Sequence, residues 1–234
     1  MNILITRPLI DTEDLMGKLF SLGHKIIHIP TLKILQAKTE PIDASQYDAF
    51  IFTSANAIRN LKVIRQDKGK LCFCVGAITE KIVRLTGYSN TISAGGTVNA
   101  LKNIIVNSNQ INKKSKIAYF CGDNISYELD LELKREGIKT DKIVNYLSEK
   151  ITDLNDENNK IITNHPPDII FVYSLRSAVS FIEIVKKYSL YPLMTESKVM
   201  CISKKVADTF SLNNWRKVKI FSPGDELLQL RKDN

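Results

Sequence analysis

The sequence predicts an α/β protein with two domains, each built on a doubly wound parallel sheet. Three observations lead to that class. Short apolar runs alternate along the whole chain with segments of helical period, the pattern of parallel strands and their crossover helices. One unit occurs twice: Phe50-Ile-Phe-Thr-Ser54 and Ile170-Phe-Val-Tyr-Ser174 each follow an acidic residue (Asp48, Asp168). Each breaks at a serine that opens a helix-period segment. Around them the repeat extends, with Ile3 matching Ile117, Gly23 matching Gly137, and Leu71–Val75 matching Lys198–Ile202.

Composition sets the outer bounds. The 234 residues are 44% hydrophobic and 25% charged, ordinary for a soluble globular protein with real cores. No apolar run approaches the roughly 18 residues of a membrane helix, so no membrane partner is expected. Ile3-Leu-Ile5 reads as a first strand where a signal peptide would carry its basic and apolar regions, and a cytoplasmic location is expected. Cys72 and Cys74 alternate in one strand-like run, which puts both thiols on one face. Cys121 and Cys201 lie in two other strands, no second pair stands at zinc spacing, and His24, His28 and His165 are scattered. Buried structural thiols and no metal site are the expectation. The net charge of +8 suits an acidic partner. Basic residues cluster only as pairs (Lys113-Lys114, Lys186-Lys187, Lys204-Lys205), without the arm that would suggest nucleic acid.

The first strand, Asn2–Thr6, is followed by Arg7-Pro8 and a helix predicted from Thr12 to Leu22, with Leu15, Met16, Leu19 and Phe20 at helical spacing. Asp11 or Thr12 is placed to cap it, Glu13 and Asp14 suit its positive end, and Gly23 is a natural stop. A strand over Lys25–Ile29 ends at Pro30, and Leu32–Leu35 reads as extended before the polar break Lys38-Thr-Glu-Pro41. The serine unit at 48–54 leads into a helix through Ile64. Leu71–Val75 is a strand turning at Gly76 into a helix with Ile78, Ile82, Val83 and Leu85 that ends at Gly87. Thr91-Ile92-Ser93 is short and edge-like, and Gly95-Gly96-Thr97 opens a helix with Val98, Leu101, Ile104 and Ile105. A polar stretch, 107–115, closes the first copy.

The second copy begins with a strand over Lys116–Phe120 that turns at Cys121-Gly122. A helix with Leu129 and Leu133 stops at Gly137, and a strand covers Lys139–Val144. Thr152–Pro167 is polar and reads as a loop. Beyond the serine unit lie a long helix (Ala178, Phe181, Ile182, Val185), strands at Lys198–Ile202 and Val218–Phe221, and a short helix over Glu226–Leu230. Two domain boundaries are compatible with this repeat. A cut near residue 112 separates the copies. Alternatively, the extended segments at 32–36 and 144–150 are paired linkers between a contiguous inner domain and an outer domain built from both chain ends.

In doubly wound sheets a ligand binds beyond the carboxyl ends of the strands. The small polar breaks fall there: Thr6-Arg7, Ser54-Ala55-Asn56, Gly76 to Thr79, Gly95-Gly96-Thr97, Gly122-Asp123-Asn124 and Ser174. Two such edges facing each other would form a cleft rich in free N–H groups, suited to a large ligand with several carboxylates or phosphates. Each residue also has a purely structural reading, since Ser and Thr at such turns are N-caps and glycines allow tight turns. Gly-Gly-Thr is no Walker loop, no G-x-G-x-x-G follows a strand, and no Ser, Cys or His arrangement resembles a hydrolase triad. Nicotinamide, ATP and hydrolase chemistry are therefore not expected.

Ile3-Leu-Ile-Thr-Arg-Pro8, Phe52-Thr-Ser-Ala-Asn-Ala57, Val75-Gly-x-x-Thr79, the Gly122 turn, Val144-Asn-Tyr146 and the Ser174 unit together resemble the uroporphyrinogen-III synthase family, in order from Ile3 to Leu230. The resemblance implies two α/β domains joined by a two-stranded linker. The inner domain would cover 38–145 and the outer one 1–35 and 149–234, with linkers near 36–37 and 146–148. It implies closure of the linear tetrapyrrole hydroxymethylbilane to uroporphyrinogen III, with loss of water and inversion of ring D through a spirocyclic intermediate. It also implies no cofactor, and a monomer is expected.

Tyr146 stands at the family's tyrosine position, so the resemblance implies it as the proton donor to the leaving hydroxyl, with Thr79 the next candidate. Their structural alternatives are a tyrosine packed beside the linker and an N-cap threonine. Substrate binding would fall to Thr6, Arg7, Ser54, Ala55, Asn56, Gly76, Gly96, Thr97, Gly122 and Ser174. Arg176, opposite Asn56 in the repeat, is either a carboxylate clamp or a solvated helix-face arginine. One departure stands out: the family's second Gly-x-x-Thr reads Ser203-Lys-Lys-Val206, so that either the hydroxyl is dispensable, or Lys204 and Lys205 supply charge instead, or the chain falls outside the family. The rival reading is a two-domain binding protein for an anionic metabolite that hinges without doing chemistry.

Overall fold

The computed structural model describes residues 1–230, and strands alternate with helices from end to end. The first part runs β1 (Asn2–Ile5), α1 (Glu13–Ser21), β2 (Lys25–His28), β3 (Leu32–Gln36) and β4 (Ile42–Asp43). Next come β5 (Ala49–Phe52), α2 (Ala55–Arg59), β6 (Val63–Ile64), β7 (Leu71–Cys74), α3 (Ala77–Leu85), β8 (Thr91–Ser93) and α4 (Val98–Val106). Then follow β9 (Lys116–Gly122), α5 (Leu129–Arg135), β10 (Lys139–Lys150), α6 (Asp156–Asn164), β11 (Ile169–Val172) and α7 (Leu175–Lys187). The last elements are α8 (Tyr191–Met194), β12 (Lys198–Cys201), α9 (Lys204–Ser211) and β13 (Val218–Ile220), with a 3-10 turn at Glu226–Leu230.

The chain divides into a split unit, Met1–Lys33 with Glu149 onward, and a continuous unit, Ile34–Ser148. The split unit's sheet has the order β13-β12-β11-β1-β2, and the continuous unit's sheet the order β3-β10-β9-β5-β7-β8. Pairing is parallel from β2 to β13 and from β10 to β8. By the sequence repeat, β1 matches β9, β2 matches β10, and β11, β12 and β13 match β5, β7 and β8. The spatial order is then the same in both sheets. The split unit's sheet therefore takes two strands from the first copy of the repeat and three from the second. The continuous unit's sheet takes two from the second and, with β3, four from the first, an exchange of halves within one chain.

A pair of carboxylates marks the same joint in both units. Asp168 Oδ2 accepts the Asn2 N–H at 2.7 Å, and Asp48 Oδ2 accepts the Lys116 N–H at 2.7 Å. The acidic residue ahead of each serine strand thus ties down the start of the neighbouring strand.

Alternation along the strands sorts the side chains of each sheet into two layers. In the split unit Leu4, Ile170, Val172, Val199 and Cys201 pack with α7 and α9, while Ile3, Ile5, Ile169, Phe171 and Met200 pack with Leu19 of α1. In the continuous unit Ile51, Phe73, Ile117 and Tyr119 meet Leu101, Ile105, Leu129 and Leu133. On its other face Phe50, Phe52, Cys72, Cys74 and Phe120 meet Ala57, Ile58 and Val83. Phe120 stacks on Phe52 and takes Phe50 edge-on, at centroid distances of 5.5 and 5.3 Å. Each such side chain contributes about 1.5–3 kcal/mol by leaving water. All four residues of β5, β7 and β11 are buried, as strands covered on both faces must be. The four cysteines are buried and free. Burial pushes the Cys74 thiol up to about 12 and Cys121 up to about 11, so these are packing groups and not nucleophiles.

The structure departs from the sequence expectations in four places. The helix after Ser54 ends at Arg59, and Val63–Ile64 instead pairs with Ile42–Asp43. Asn60 Nδ2 donates to the Asn56 carbonyl at 2.9 Å and closes that short helix. The polar stretch expected as a loop contains α6. Asn155 caps it by accepting the Asn158 N–H, Asp156 and Glu157 suit its first turn, and Ile162, fully buried, anchors it. Strand β10 runs on to Lys150 because β3 lies beside it, with the Ala37 N–H donating to the Asn145 carbonyl at 3.1 Å. Finally, Thr12 precedes α1 but its side chain caps nothing: Thr12 Oγ1 is buried with no partner among the described residues. No described helix is long and apolar enough to cross a membrane.

Candidate active site

Strand register builds the edge on which a site can form. In the continuous unit Phe52 stands opposite Cys74 and Phe120, Cys74 opposite Ser93, and Gly122 opposite Tyr146. The strands therefore end level, and residues 53–56, 75–79, 94–97 and 122–124 lie along one edge with Tyr146. This is where sheet topology puts ligands.

Tyr146 is seated directly on Gly122. A Cβ added to Gly122 would lie 2.7 Å from the ring carbons Cε2 and Cζ of Tyr146 and 2.9 Å from its hydroxyl. Glycine is needed there for space, since any side chain would collide with the phenol. The Asp123 N–H donates to the Tyr146 carbonyl at 3.1 Å, and Asp123 Oδ1 accepts the Ser148 N–H at 2.9 Å. The backbone on both sides of the tyrosine is thereby fixed to the turn after β9.

A second close approach joins the loops after β7 and β8. A Cβ on Gly76 would lie 3.3 Å from Gly96 Cα, and the Gly96 N–H donates to the Val75 carbonyl at 2.7 Å. Gly96 has φ +112, a backbone conformation that favours glycine. Thr97 accepts the Ala100 N–H and Ser54 accepts the Asn56 N–H, so both hydroxyls serve as N-caps. Asn56 Oδ1 in turn accepts Arg59 Nη1, and Ala55 is buried. Thr79, in the first turn of α3, is 6% exposed.

The split unit's edge is built differently. Thr6 is fully buried, donates to the Phe171 carbonyl at 2.9 Å and accepts from Ser177 Oγ at 3.1 Å. Thr31 joins the same cluster by donating to the Thr6 carbonyl and hydrogen-bonding Ser177, and Ser180 donates to the Thr31 carbonyl. Thr6, expected to bind substrate, is therefore a packing hydroxyl whose bonding is spent inside the fold. Ser174 is an N-cap that accepts the Ser177 N–H. The Arg7 guanidinium lies 4.6 Å over the Tyr173 ring, and its carbonyl accepts from His28 Nε2. Tyr173 donates to Glu226 Oε1, and burial drives its phenol well above the usual range.

Arg176 sits in the first turn of α7, and its Nε is buried with no hydrogen-bond partner among the described residues. Arg176 as a whole is half-buried, which fits either the clamp or the helix-face arginine. Its unused donor suits a carboxylate. Of the two lysines that could supply charge in place of the missing threonine, Lys204 pairs with Asp208 on its own helix. Val206 is 2% exposed and packs in the core, so a methyl replaces the family's hydroxyl at a buried position.

The residues missed by sequence reasoning are Asn145, Tyr119 and the Thr31–Ser177 pair. Asn145 is 3% exposed, and its Nδ2 donates to the Ala57 carbonyl at 2.7 Å. An asparagine inside a strand, here just after Ile143-Val144, is disfavoured, and that is the sequence signal that marks it. Tyr119 is 1% exposed, with its hydroxyl 3.3 Å from Thr53 Oγ1 at the end of β5. Among the described residues no three His, Cys, Asp or Glu side chains gather as metal ligands.

Comparison with known proteins gives this edge its context. A uroporphyrinogen-III synthase from Helicobacter pylori matches with a TM-score of 0.63 at 16% identity, covering 98% of this chain and 99% of that one. A mutant uroporphyrinogen III synthase from Thermus thermophilus matches at 0.57 and 15%, covering 98% and 96%. These likenesses concern the fold. Among curated proteins none matches. The profile described as uroporphyrinogen-III synthase HemD matches residues 13–222, nearly the whole of both sheets, and the chain belongs to the uroporphyrinogen-III synthase family.

Proposed function

We propose that this protein closes hydroxymethylbilane to uroporphyrinogen III as a carbon–oxygen lyase of haem biosynthesis. The hydroxymethyl C–O bond breaks, the hydroxyl leaves as water, and ring D is inverted as the macrocycle forms. The observation that carries the reading is family membership over residues 13–222, joined to a phenol at the strand-end edge. Pyrrole nitrogen expels the hydroxyl, so the enzyme needs a modest proton donor and control of the substrate's shape. A neutral phenol, with pKa about 10, meets that need. Tyr146 is the assigned donor, and Thr79 is the second candidate.

The substrate is an octacarboxylate, and a net charge of +8 favours its approach. Within the continuous unit the positive N-terminal ends of α3 and α4 suit carboxylate arms, and within the split unit, taken by itself, so do the N-terminal end of α7 and the unpaired Nε of Arg176. Gly96 leaves exposed backbone for close approach, and Gly76 a half-buried one. The protein is assigned to the cytoplasm, as a monomer that needs no cofactor and binds no nucleic acid.

The test is a coupled assay. Hydroxymethylbilane is generated in situ, the protein is added, and the oxidised porphyrins are separated as I and III isomers. Uncatalysed closure gives isomer I, so a shift to isomer III is the expected result. Tyr146→Phe is expected to lower kcat about 10²-fold, the low end for a positioned proton donor. Persistence of isomer I with the parent protein would overturn the reading.

A further inference from the structure

We infer that Asn145 is the positioning residue for the Tyr146 phenol, acting through a β-bulge that turns the tyrosine onto the face where Gly122 leaves room for it. Val144 stands opposite Cys121 and Tyr146 opposite Gly122, so two steps along β10 match one along β9 and Asn145 is the extra residue. The effect is visible in the packing. Val144 lies with the layer of Ile51 and Phe73, whereas Ile143 and Tyr146 both lie with the layer of Phe52 and Phe120. Strict alternation would put Tyr146 on the face of Val144 and opposite to Ile143. The bulge re-aims it.

Three bonds hold the bulge. Asn145 Nδ2 donates to the Ala57 carbonyl at 2.7 Å, in the helix opened by Ser54. The Asn145 carbonyl accepts the Ala37 N–H at 3.1 Å, and the Tyr146 carbonyl accepts the Asp123 N–H at 3.1 Å. Only the first uses a side chain, and its assignment is unambiguous because a carbonyl can accept only from the amide nitrogen. Asn145 Oδ1 is buried with no partner among the described residues, a cost that an architectural residue chosen for stability alone would avoid.

The repeat supplies an internal control. Residue 145 matches Thr31 and residue 57 matches Ser177, and Thr31 hydrogen-bonds Ser177 in the split unit. The same strand end thus reaches the same helix turn in both copies. In the split copy the next residue is Leu32, and in the continuous copy it is Tyr146. The bridge is common to the fold; a bulge that aims a phenol belongs to the continuous copy.

The importance of this device for turnover rests on Tyr146 being the proton donor, so the experiment reads position and activity separately. The Gly122 α-protons lie against the Tyr146 ring and carry its ring-current shift. NMR of the protein with labelled glycine is compared among the parent, Asn145→Ala, Asn145→Thr and Tyr146→Ala. Asn145→Ala is expected to move the Gly122 resonances toward their values in Tyr146→Ala. Asn145→Thr, which installs the split unit's residue and guards against misfolding of the alanine variant, is expected to move them in the same direction.

In the coupled assay Asn145→Ala should lower kcat about tenfold in the parent, but less than about twofold in the Tyr146→Phe background, because the two act through one group. Unmoved Gly122 resonances in both folded variants overturn the inference whatever the activity. Equal losses in both backgrounds overturn it too, since Asn145 would then act independently of the phenol. Moved resonances with an unimpaired Tyr146→Phe would support the positioning role and reject Tyr146 as donor.

Discussion

The two units carry the same sheet order and the same carboxylate joints, yet their strand-end edges are made of different material. The continuous unit uses glycines where loops come close: Gly76 against Gly96, and Gly122 beneath Tyr146. The split unit has a serine at the place of Gly76 and a cluster of side-chain hydroxyls around the end of β1. Ser203, at the position of Gly76, caps α9 by accepting the Val206 N–H, and Thr6, Thr31, Ser177 and Ser180 knit β1 and the start of β3 to α7. One copy spends its polar atoms on holding itself together. The other leaves backbone and a phenol at its surface. A duplicated fold can thus keep its topology while its two units build their strand-end edges from different groups.

That division can be broken experimentally. The largest effect is expected from Gly122→Ala, whose methyl would meet the Tyr146 ring at 2.7 Å. Overpacking of this kind costs about 1–3 kcal/mol, and displacing the phenol should lower kcat about 10²-fold. Steady-state kinetics beside a urea melt would report both, and wild-type turnover would contradict the seating of the phenol. Ser177→Ala should act in the opposite way. It removes the central hydroxyl of the split unit's cluster, while Thr6 and Thr31 keep their bonds to the Phe171 and Thr6 carbonyls, and should cost about 0.5–1.5 kcal/mol, with kcat within about twofold of the parent. A large loss of kcat without loss of stability would mean that this hydroxyl faces substrate after all.

Ser203→Ala sharpens the contrast at the matched helix starts. Loss of the cap should cost about 1 kcal/mol, whereas Gly76 makes no side-chain cap at the same place in α3 and has no such bond to lose. A thermal melt decides this. The smallest effect concerns acid stability. The Thr91 hydroxyl, and then Arg84, hold the Glu80 carboxyl below the usual glutamate value. A depressed folded-state value means stability that is present above the unfolded pKa of about 4.3 and is lost as pH falls through the folded value. Thr91→Val should therefore be slightly less stable than the parent at pH 7, and the difference should shrink as pH falls through the folded value of Glu80. A difference independent of pH would show that the hydroxyl acts by packing alone.

Much of this was legible in the sequence because it rests on period and punctuation. Buried strands read as unbroken apolar runs, and Gly23, Gly87 and Gly137 stop their helices with positive φ. The serine units were visible as a repeat because strand and cap chemistry recur together. The misses share a cause, which is dependence on a distant partner. Strand β6 exists because Ile42–Asp43 lies beside it, and α6 is anchored mainly by Ile162. At the site, Tyr146 could be named from its neighbours in sequence. The bulge at Asn145 could not, because it depends on register against β9 and on a carbonyl in α2. Thr6 was read as a ligand group because the sequence places it at a strand end; its burial comes from residues far along the chain.

The exchange of strands between the two copies also has a consequence for synthesis on the ribosome. Everything the continuous unit needs lies between residues 34 and 148, so its sheet can close while later residues are still being added. The first strand cannot share in that. Ile3 pairs with Ile169, and Asn2 waits 166 positions for Asp168. Until then Ile3-Leu-Ile5 is an emerged apolar segment with only β2 for company, and two strands alone are too few to be stable. Any substitution that slows closure of the continuous unit lengthens that exposure. Nascent-chain aggregation should then originate in the first five residues, far from the site where the substitution was made.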